Sequence, residues 1–157
     1  PAVRDLVTFV TADHTYKLDG MEIQTLRSTD AGVAFYVEYN GISIFHAGDL
    51  NDWKLEGAGD LINGRMSREY RHQIRKLATK PINLAFIPMD PRLKENQFLG
   101  IDYFIRHTDA EYIFPMHMWQ DYSGIRTYKK RISNLGMADR IIEIERENQV
   151  FPFGDNS

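Results

Sequence analysis

The dipeptide Asn40-Gly41 constrains the fold of this chain more than any other stretch of its sequence. It separates two apolar runs, Val33 to Tyr39 and Ile42 to Phe45, by the two residues that a type I′ β-hairpin prefers. The second run leads directly into Gly48-Asp49. We therefore predict two antiparallel strands, with the carboxylate of Asp49 just beyond the end of the second strand.

Two interpretations of Gly48-Asp49 are open from these residues alone. The glycine lets the backbone turn sharply, so Asp49 would lie on a rigid edge with its oxygens available to bind a cation or accept a proton. In the simpler interpretation the pair is only a turn, and Asp49 caps it.

A second strand that ends at a polar side chain lies later in the chain, at Tyr112 to Phe114. Pro115 follows it and is predicted to stop the strand, and His117 comes where the chain would leave the sheet. A single histidine is more often an ordinary hydrogen-bonded residue than a ligand. If this strand and the hairpin strand run in the same direction, however, Asp49 and His117 meet at one rim and can share one ion.

The remaining pattern predicts an α+β domain that spans residues 1–157. Further strands are expected at Leu6 to Val10, Met21 to Leu26, Ile82 to Ile87 and Ile141 to Ile144. A long loop is expected from Leu50 to Gly64. Helical spacing then predicts a helix from Met66 to Leu77, a second one around Phe98 to Ile105, and a third from its cap Ser123 to Gly136.

Composition limits the classes of partner and of site. The 157 residues are 43% hydrophobic and 26% charged, as in a soluble globular protein, and a net charge of −3 argues against nucleic acid as a partner. No apolar run approaches the roughly 18 residues of a membrane span, and no signal peptide is recognisable, so a cytoplasmic protein is expected. Without cysteine, a transition metal must be held by histidine and carboxylate.

The two strand ends together resemble the metallo-β-lactamase superfamily, in which a Gly-Asp after one strand and a Pro-x-His after a later one each supply a metal ligand. Gly48 to Trp53, with the pattern Gly-Asp-Leu-Asn-x-Trp, is similar to uncharacterised metal-dependent hydrolases of that superfamily. Ser28 to Phe35 and Asn83 to Asp90 extend the similarity, in family order, over about two thirds of the chain. The resemblance implies an αββα sandwich, of which this chain would form the C-terminal half, a mixed sheet plus helices.

The resemblance also implies a site and a reaction. Asp49, as catalytic residue and ligand, and His117, as ligand, would hold zinc, with manganese or iron as alternatives, and the complete protein would hold one or two ions. The implied enzyme is a hydrolase in which a metal-activated water attacks an ester, lactone, phosphoester or amide of a small-molecule substrate. Candidates for pocket or supporting residues are Asp30, His46, Asn51, Trp53 and Trp119.

Two departures from the family pattern qualify this expectation. The superfamily's His-x-His-x-Asp-His cluster has no match, since no two of the five histidines are close in sequence, and we expect it before Pro1, in a missing N-terminal half. Thr29 stands where related enzymes often place a histidine, so the adjacent Asp30 either substitutes for it or is a turn residue. A homo-oligomer is the alternative way to cover the apolar face that half a sandwich would expose.

Two other functions compete with hydrolysis. The first is a binding or assembly module that keeps the fold without a complete metal site. The second is a nuclease-type relative, which the net charge of −3 disfavours.

Overall fold

The computed structural model describes residues 7–153. They form a six-stranded mixed sheet whose strands lie side by side in sequence order. The first four strands are antiparallel neighbours, whereas the fourth, fifth and sixth are parallel. The strands are β1 (Thr15–Leu18), β2 (Met21–Arg27), β3 (Val33–Tyr39), β4 (Ile42–His46), β5 (Leu84–Pro88) and β6 (Tyr112–Met116). The predicted α+β class is confirmed.

The hairpins have the geometry that their turn residues predict. Asn40 and Gly41 have φ angles of 49° and 79°, and Tyr39 pairs with Ile42 across the turn. Asp19 and Gly20 make the same two-residue turn between β1 and β2, with positive φ at both positions. Positive φ at both central residues defines the I′ turn, which matches the twist of the flanking strands.

The helices α1 (Gly59–Arg75), α2 (Leu99–His107) and α3 (Ser123–Arg131) form the crossovers and the layer that buries one face of the sheet. Parallel strands require such crossover connections. Alternate strand residues point into this layer, among them Ala34, Phe45 and Ile113, and all three are fully buried. Helix residues that complete the core are Tyr70, Ile74, Ile101, Phe104, Ile125 and Tyr128.

The opposite face of the sheet is apolar and only partly buried. A row of aromatic rings crosses it: His46 stacks on Phe86 at 5.6 Å, Phe86 on Phe114 at 5.2 Å, and Phe151 meets Phe114 edge-on at 5.4 Å between centroids. The pairing register explains the row, since His46 lies opposite Phe86 and Phe86 opposite Phe114. Within residues 7–153 no helix packs on this face.

Two predicted strands are absent from the part of the chain that the structure describes. Residues 7–10 are irregular, with Phe9 87% exposed, while Leu6 lies outside the described residues. Ile141 makes a single bridge to Ile113 in place of the predicted strand Ile141 to Ile144. An apolar run becomes a strand only where a neighbour offers a continuous row of backbone partners, and the sequence does not show that neighbour.

Two helix starts and one strand end also differ from the prediction. α1 begins at Gly59, inside the predicted loop, and Ser123 is the first residue of α3, not its cap. Pro115 lies inside β6 opposite Ile87, where it was expected to stop the strand. The sheet tolerates this proline because β6 is its edge strand. The backbone carbonyl of Met116 accepts a hydrogen bond from Met89 beside β5, so the backbone of Pro115, one residue earlier, points to the outer edge, where its nitrogen needs no acceptor.

Candidate functional site

The three parallel strands β4, β5 and β6 end at one rim of the sheet, and each is followed by a side chain with metal or proton chemistry. Asp49 follows β4, Asp90 follows β5 and His117 follows β6. Because parallel strands place their carboxyl ends together, the loops that leave them converge. The rim is therefore the candidate site.

Gly48 allows the chain to turn from β4 toward the rim. Its φ angle is +55°, and a Cβ atom at this position would lie 3.0 Å from the backbone oxygen of Val33. Any other residue would therefore be strained as well as crowded. The turn is fastened beyond it by Trp53, whose Nε1 donates a hydrogen bond of 2.8 Å to the carbonyl oxygen of Asp49.

Asp49 and His117 meet at the rim. Nε2 of His117 lies 3.2 Å from Oδ1 of Asp49, and both side chains are partly exposed. Two donors that bind one tetrahedral ion at about 2.0 to 2.2 Å lie roughly 3.3 to 3.6 Å apart. The pair therefore fits two positions of a coordination sphere. Within residues 7–153, however, no three His, Cys, Asp or Glu side chains are grouped so that they could hold an ion.

Asp90 is a fully buried carboxylate behind His117. It accepts hydrogen bonds from Nε of Arg92 at 2.9 Å, from Nη2 of Arg92 at 2.5 Å and from Nε1 of Trp119 at 3.2 Å. Burial by itself raises the pKa of Asp90, but the hydrogen bonds from Arg92 and Trp119 outweigh it, so the pKa lies below its ordinary value. Asp90 is thus an ionised group in the interior of the site.

The loop that carries His117 has an unusual backbone. His117, Trp119 and Gln120 have φ angles of 63°, 50° and 66°, in the left-handed region that residues with a Cβ rarely adopt. Three such residues within four positions cost conformational energy that surrounding contacts must offset. Strain of this kind concentrates at functional sites and supports the choice of this rim.

His46 is the last residue of β4 and packs on the face of the sheet next to the rim. Its Nδ1 accepts a hydrogen bond from the backbone N–H of Gly48 at 3.1 Å, and its ring stacks on Phe86. Loss of hydration against the sheet lowers the pKa of His46, and the proximity of His117 lowers it further. A neutral His46 therefore borders the site.

Thr29 and Asn51 brace the loop after β4. The hydroxyl of Thr29 donates to the carbonyl oxygen of Asn51 at 2.7 Å and accepts from its N–H at 3.0 Å. The Asn51 side chain is buried against Gly100 at the start of α2, and its amide atoms have no hydrogen-bond partner within the described residues. Thr29, at the position where the sequence resemblance implies a histidine, therefore holds this loop.

The two tryptophans lie on either side of the rim. Trp53 is buried, and its ring centroid lies 5.9 Å from that of His117. Trp119 is 64% exposed and is covered by the guanidinium of Arg92, 4.4 Å from its ring centroid. A cavity of about 360 Å³ opens beside Trp53, lined by Asp30, Leu55, Met66, Asp90, Arg92 and Leu93.

Sequence reasoning did not select Asp90 and Arg92 as site residues. Both stand in the string Met89-Asp90-Pro91-Arg92, shortly after the predicted strand Ile82 to Ile87. The signal was the repetition itself, since three strands that end beside each other are each followed closely by an ionisable residue. Asp30 is exposed. Its connection to the site is that it lines the cavity beside Trp53.

Comparison with known proteins gives structural similarities only. No family model matches the sequence, and no curated protein matches it. A protein from Thermotoga maritima that has been proposed to be a zinc-dependent hydrolase of the metallo-β-lactamase superfamily is 20% identical, with a TM-score of 0.39. The match covers 69% of this chain and 47% of that one, so the chain spans about half the length of that protein.

Two structures of CmlA, a diiron β-hydroxylase from Streptomyces venezuelae, are also similar. The enzyme is 9% identical, with a TM-score of 0.47 over 87% of this chain and 27% of its own. A point mutant of CmlA gives 10% identity and a TM-score of 0.49 over 80% of this chain and 30% of its own. At these identities and TM-scores the similarity assigns neither a family nor a superfamily to this chain.

No helix among residues 7–153 combines the length and the apolar character that crossing a membrane requires.

Proposed function

We propose that this chain forms the C-terminal part of a metal-dependent hydrolase of the metallo-β-lactamase type. Asp49 and His117 would be two ligands of a zinc, manganese or iron ion. The observation that carries the proposal is the 3.2 Å separation of His117 Nε2 and Asp49 Oδ1 at the rim where the parallel strands β4, β5 and β6 end. The ends of β4 and β6 thus bring together two side chains of metal-ligand type that lie far apart in the sequence. Further ligands would come from outside the described residues.

The residues of this chain would divide the work at the rim. A bound divalent ion would supply a water of lowered pKa and polarise a substrate oxygen. Asp49 has a second carboxylate oxygen that can accept a hydrogen bond from the attacking water and so orient it. Trp53 would exclude bulk water behind His117, and the cavity beside it has room for part of a small substrate. Ester, lactone, phosphoester and amide substrates are all compatible with this arrangement.

Metal titration of the complete protein and its variants tests the proposal. Asp49→Ala and His117→Ala should each weaken zinc binding by at least tenfold, measured by calorimetry, and should abolish chelator-sensitive hydrolysis of a panel of ester, lactone, phosphodiester and amide substrates. The fold should persist, because both side chains are partly exposed and contribute little to the core.

Matched controls come from exposed residues away from the rim. The controls are His72→Ala, on α1, and Asp109→Ala, which precedes β6 at the end of the sheet away from the rim. They remove the same two side-chain types and should leave zinc affinity unchanged. Unchanged affinity and turnover in Asp49→Ala or His117→Ala would show that the residue is no ligand. If the complete protein binds no zinc, the binding or assembly module is favoured, because a site with only two ligands is also compatible with a protein that lacks a complete metal site.

A further inference from the structure

We infer that Arg92 is a specificity-determining residue, which binds a carboxylate of the substrate on the edge of its guanidinium that Asp90 leaves free. The inference rests on the proposed function and narrows its substrate class. The substrate would carry a carboxylate a few bonds away from the group that is hydrolysed, and Arg92 would take no part in the bond-breaking step.

The guanidinium of Arg92 is held in place on two sides. Its Nε and Nη2 donate to the two carboxylate oxygens of Asp90, at 2.9 and 2.5 Å, and its face lies over the ring of Trp119, 4.4 Å from the centroid. Asp90 is fully buried, so the group that anchors Arg92 is itself fixed in the interior. A guanidinium that is already oriented loses little conformational entropy when a ligand binds to it.

A second edge of the same guanidinium remains available. Of the five N–H groups of an arginine side chain, Asp90 uses one on Nε and one on Nη2, and Nη1 has no hydrogen-bond partner within residues 7–153. The side chain of Arg92 is 61% exposed, so a ligand can approach it. The edge formed by Nη1 and Nη2 holds two parallel donors and no acceptor, which is the arrangement that binds a carboxylate through two hydrogen bonds.

Arg92 lies where the cavities at the rim meet. It lines the cavity of about 360 Å³ described above and a neighbouring one of about 680 Å³, and the two cavities also share Leu55 and Leu93. Oδ2 of Asp90, which accepts from Nη2 of Arg92, lies 3.7 Å from Nδ1 of His117. The guanidinium is therefore one side chain away from the proposed metal ligand, and the two leucines offer an apolar wall to the part of the substrate between them.

The charges around the two cavities favour a carboxylate over a phosphate. Lys54 adds a positive charge at the larger cavity, but Glu95 also lines that cavity, and Asp30 lines the smaller one. These two acidic side chains would repel a phosphate dianion more strongly than a carboxylate, because the repulsion grows with the charge of the ligand. A group with a single negative charge therefore suits this position.

A purely structural role for Arg92 makes a different prediction. Arg92 would then only neutralise the buried Asp90, and the free edge would stay hydrated. Arg106 has the same kind of pair, since its Nε and Nη2 donate to Asp102 at 2.9 and 3.2 Å on α2, but it lines neither of these cavities. Arg106 is therefore the matched control.

The first test compares two esters with the complete, zinc-loaded protein: 4-nitrophenyl hydrogen adipate, which carries a carboxylate, and its neutral methyl ester. The wild type should hydrolyse the carboxylate ester with the higher kcat/KM. Arg92→Lys keeps a positive charge beside Asp90 but cannot form two parallel hydrogen bonds, so it should lower the ratio of the two kcat/KM values by about 10- to 100-fold, mainly through KM. The folded fraction cancels in this ratio, and Arg106→Lys should leave it unchanged.

The second test needs neither metal nor hydrolysis. In the metal-free complete protein, monomethyl adipate should shift the NMR signal of the indole N–H of Trp119, which donates to Asp90 beside Arg92, and dimethyl adipate should not. Arg92→Lys should weaken this binding by about tenfold or more.

Equal kcat/KM values for the two esters in the wild type would overturn the inference, whether or not Arg92→Lys folds. A folded Arg92→Lys with the wild-type ratio and the wild-type binding would also overturn it, while loss of hydrolysis of both esters in Asp49→Ala would still uphold the proposed function. If the wild type hydrolyses neither ester, the proposed function fails for esters. Binding of monomethyl adipate that depends on Arg92 would then still support the carboxylate site, and absence of that binding would overturn it.

Discussion

The side-chain amide of Asn51 occupies the space that a Cβ atom at Gly100 would need. A Cβ built there would lie 1.9 Å from Oδ1 of Asn51, so the loop after β4 packs directly on the backbone of α2. The contact joins the loop that carries Asp49 to the helix that follows β5.

Replacing Gly100 with alanine should therefore destabilise the protein, although the same change in a helix interior ordinarily stabilises by about 1 kcal/mol. We expect a loss of about 1 to 3 kcal/mol in the free energy of unfolding, because Asn51 must move. In an Asn51→Ala background the steric conflict is gone, and Gly100→Ala should become neutral or stabilising. Urea denaturation of the four proteins measures this cycle, and equal costs in both backgrounds would refute the contact.

Asp52 should make the stability depend on pH in an unusual direction. Burial raises the pKa of Asp52, although a hydrogen bond from Ser67 at 2.8 Å opposes the shift. A folded-state pKa above the unfolded value means that the unfolding free energy falls as pH rises through the interval between the two pKa values. Asp52→Asn should thus stabilise the protein at pH 7, by on the order of 1 kcal/mol, and have little effect near pH 3.

Asp121 provides the control of opposite sign. A hydrogen bond from Ser123 lowers the pKa of Asp121, so its ionised form stabilises the folded state above the unfolded pKa. Asp121→Asn should lose stability at pH 7 relative to pH 3. Thermal melts of both variants at the two pH values compare them, and a destabilised Asp52→Asn at pH 7 would contradict the argument.

The aromatic face of the sheet should make the isolated chain of residues 1–157 associate. Phe86 and Phe114 lie on this face without a covering helix in the described structure, and exposed apolar patches of this kind are typical of interaction surfaces. We expect dimers or larger species in analytical ultracentrifugation, together with binding of a hydrophobic dye. Phe86→Ser should weaken both signals.

Leu61→Ser is the matched control, because Leu61 is 84% exposed on α1 and lies away from this face. It should leave association and dye binding unchanged. A strictly monomeric chain that binds no dye would contradict the prediction.

Local signals predicted the hairpins well, whereas tertiary contacts decided the elements that were missed. Gly59 and Gly64 are poor helix formers, so the sequence placed them in a loop. In the structure the start of α1 is held by Asn63, whose amide exchanges two 3.0 Å hydrogen bonds with the backbone of Leu55. No pattern in the sequence predicts these hydrogen bonds between Asn63 and Leu55.

The candidate site likewise has one part that the sequence predicted and one part that it did not. Gly-Asp and Pro-x-His are short motifs at strand ends, and they predicted that Asp49 and His117 meet. The burial and hydrogen bonding of Asp90 depend on the groups that surround it in space, namely Arg92 and Trp119. Such an environment is assembled from separate loops and cannot be read from the residue itself.

Pro115 has a consequence for how molecules of this protein can come together. An edge strand normally offers a continuous row of donors and acceptors to a strand of another molecule. The outer edge of β6 lacks a donor at Pro115, and the carbonyl of Ile113 is already used by the N–H of Ile142. A second chain that added a strand along this side would find two of its backbone partners missing, which disfavours extension of the sheet at β6.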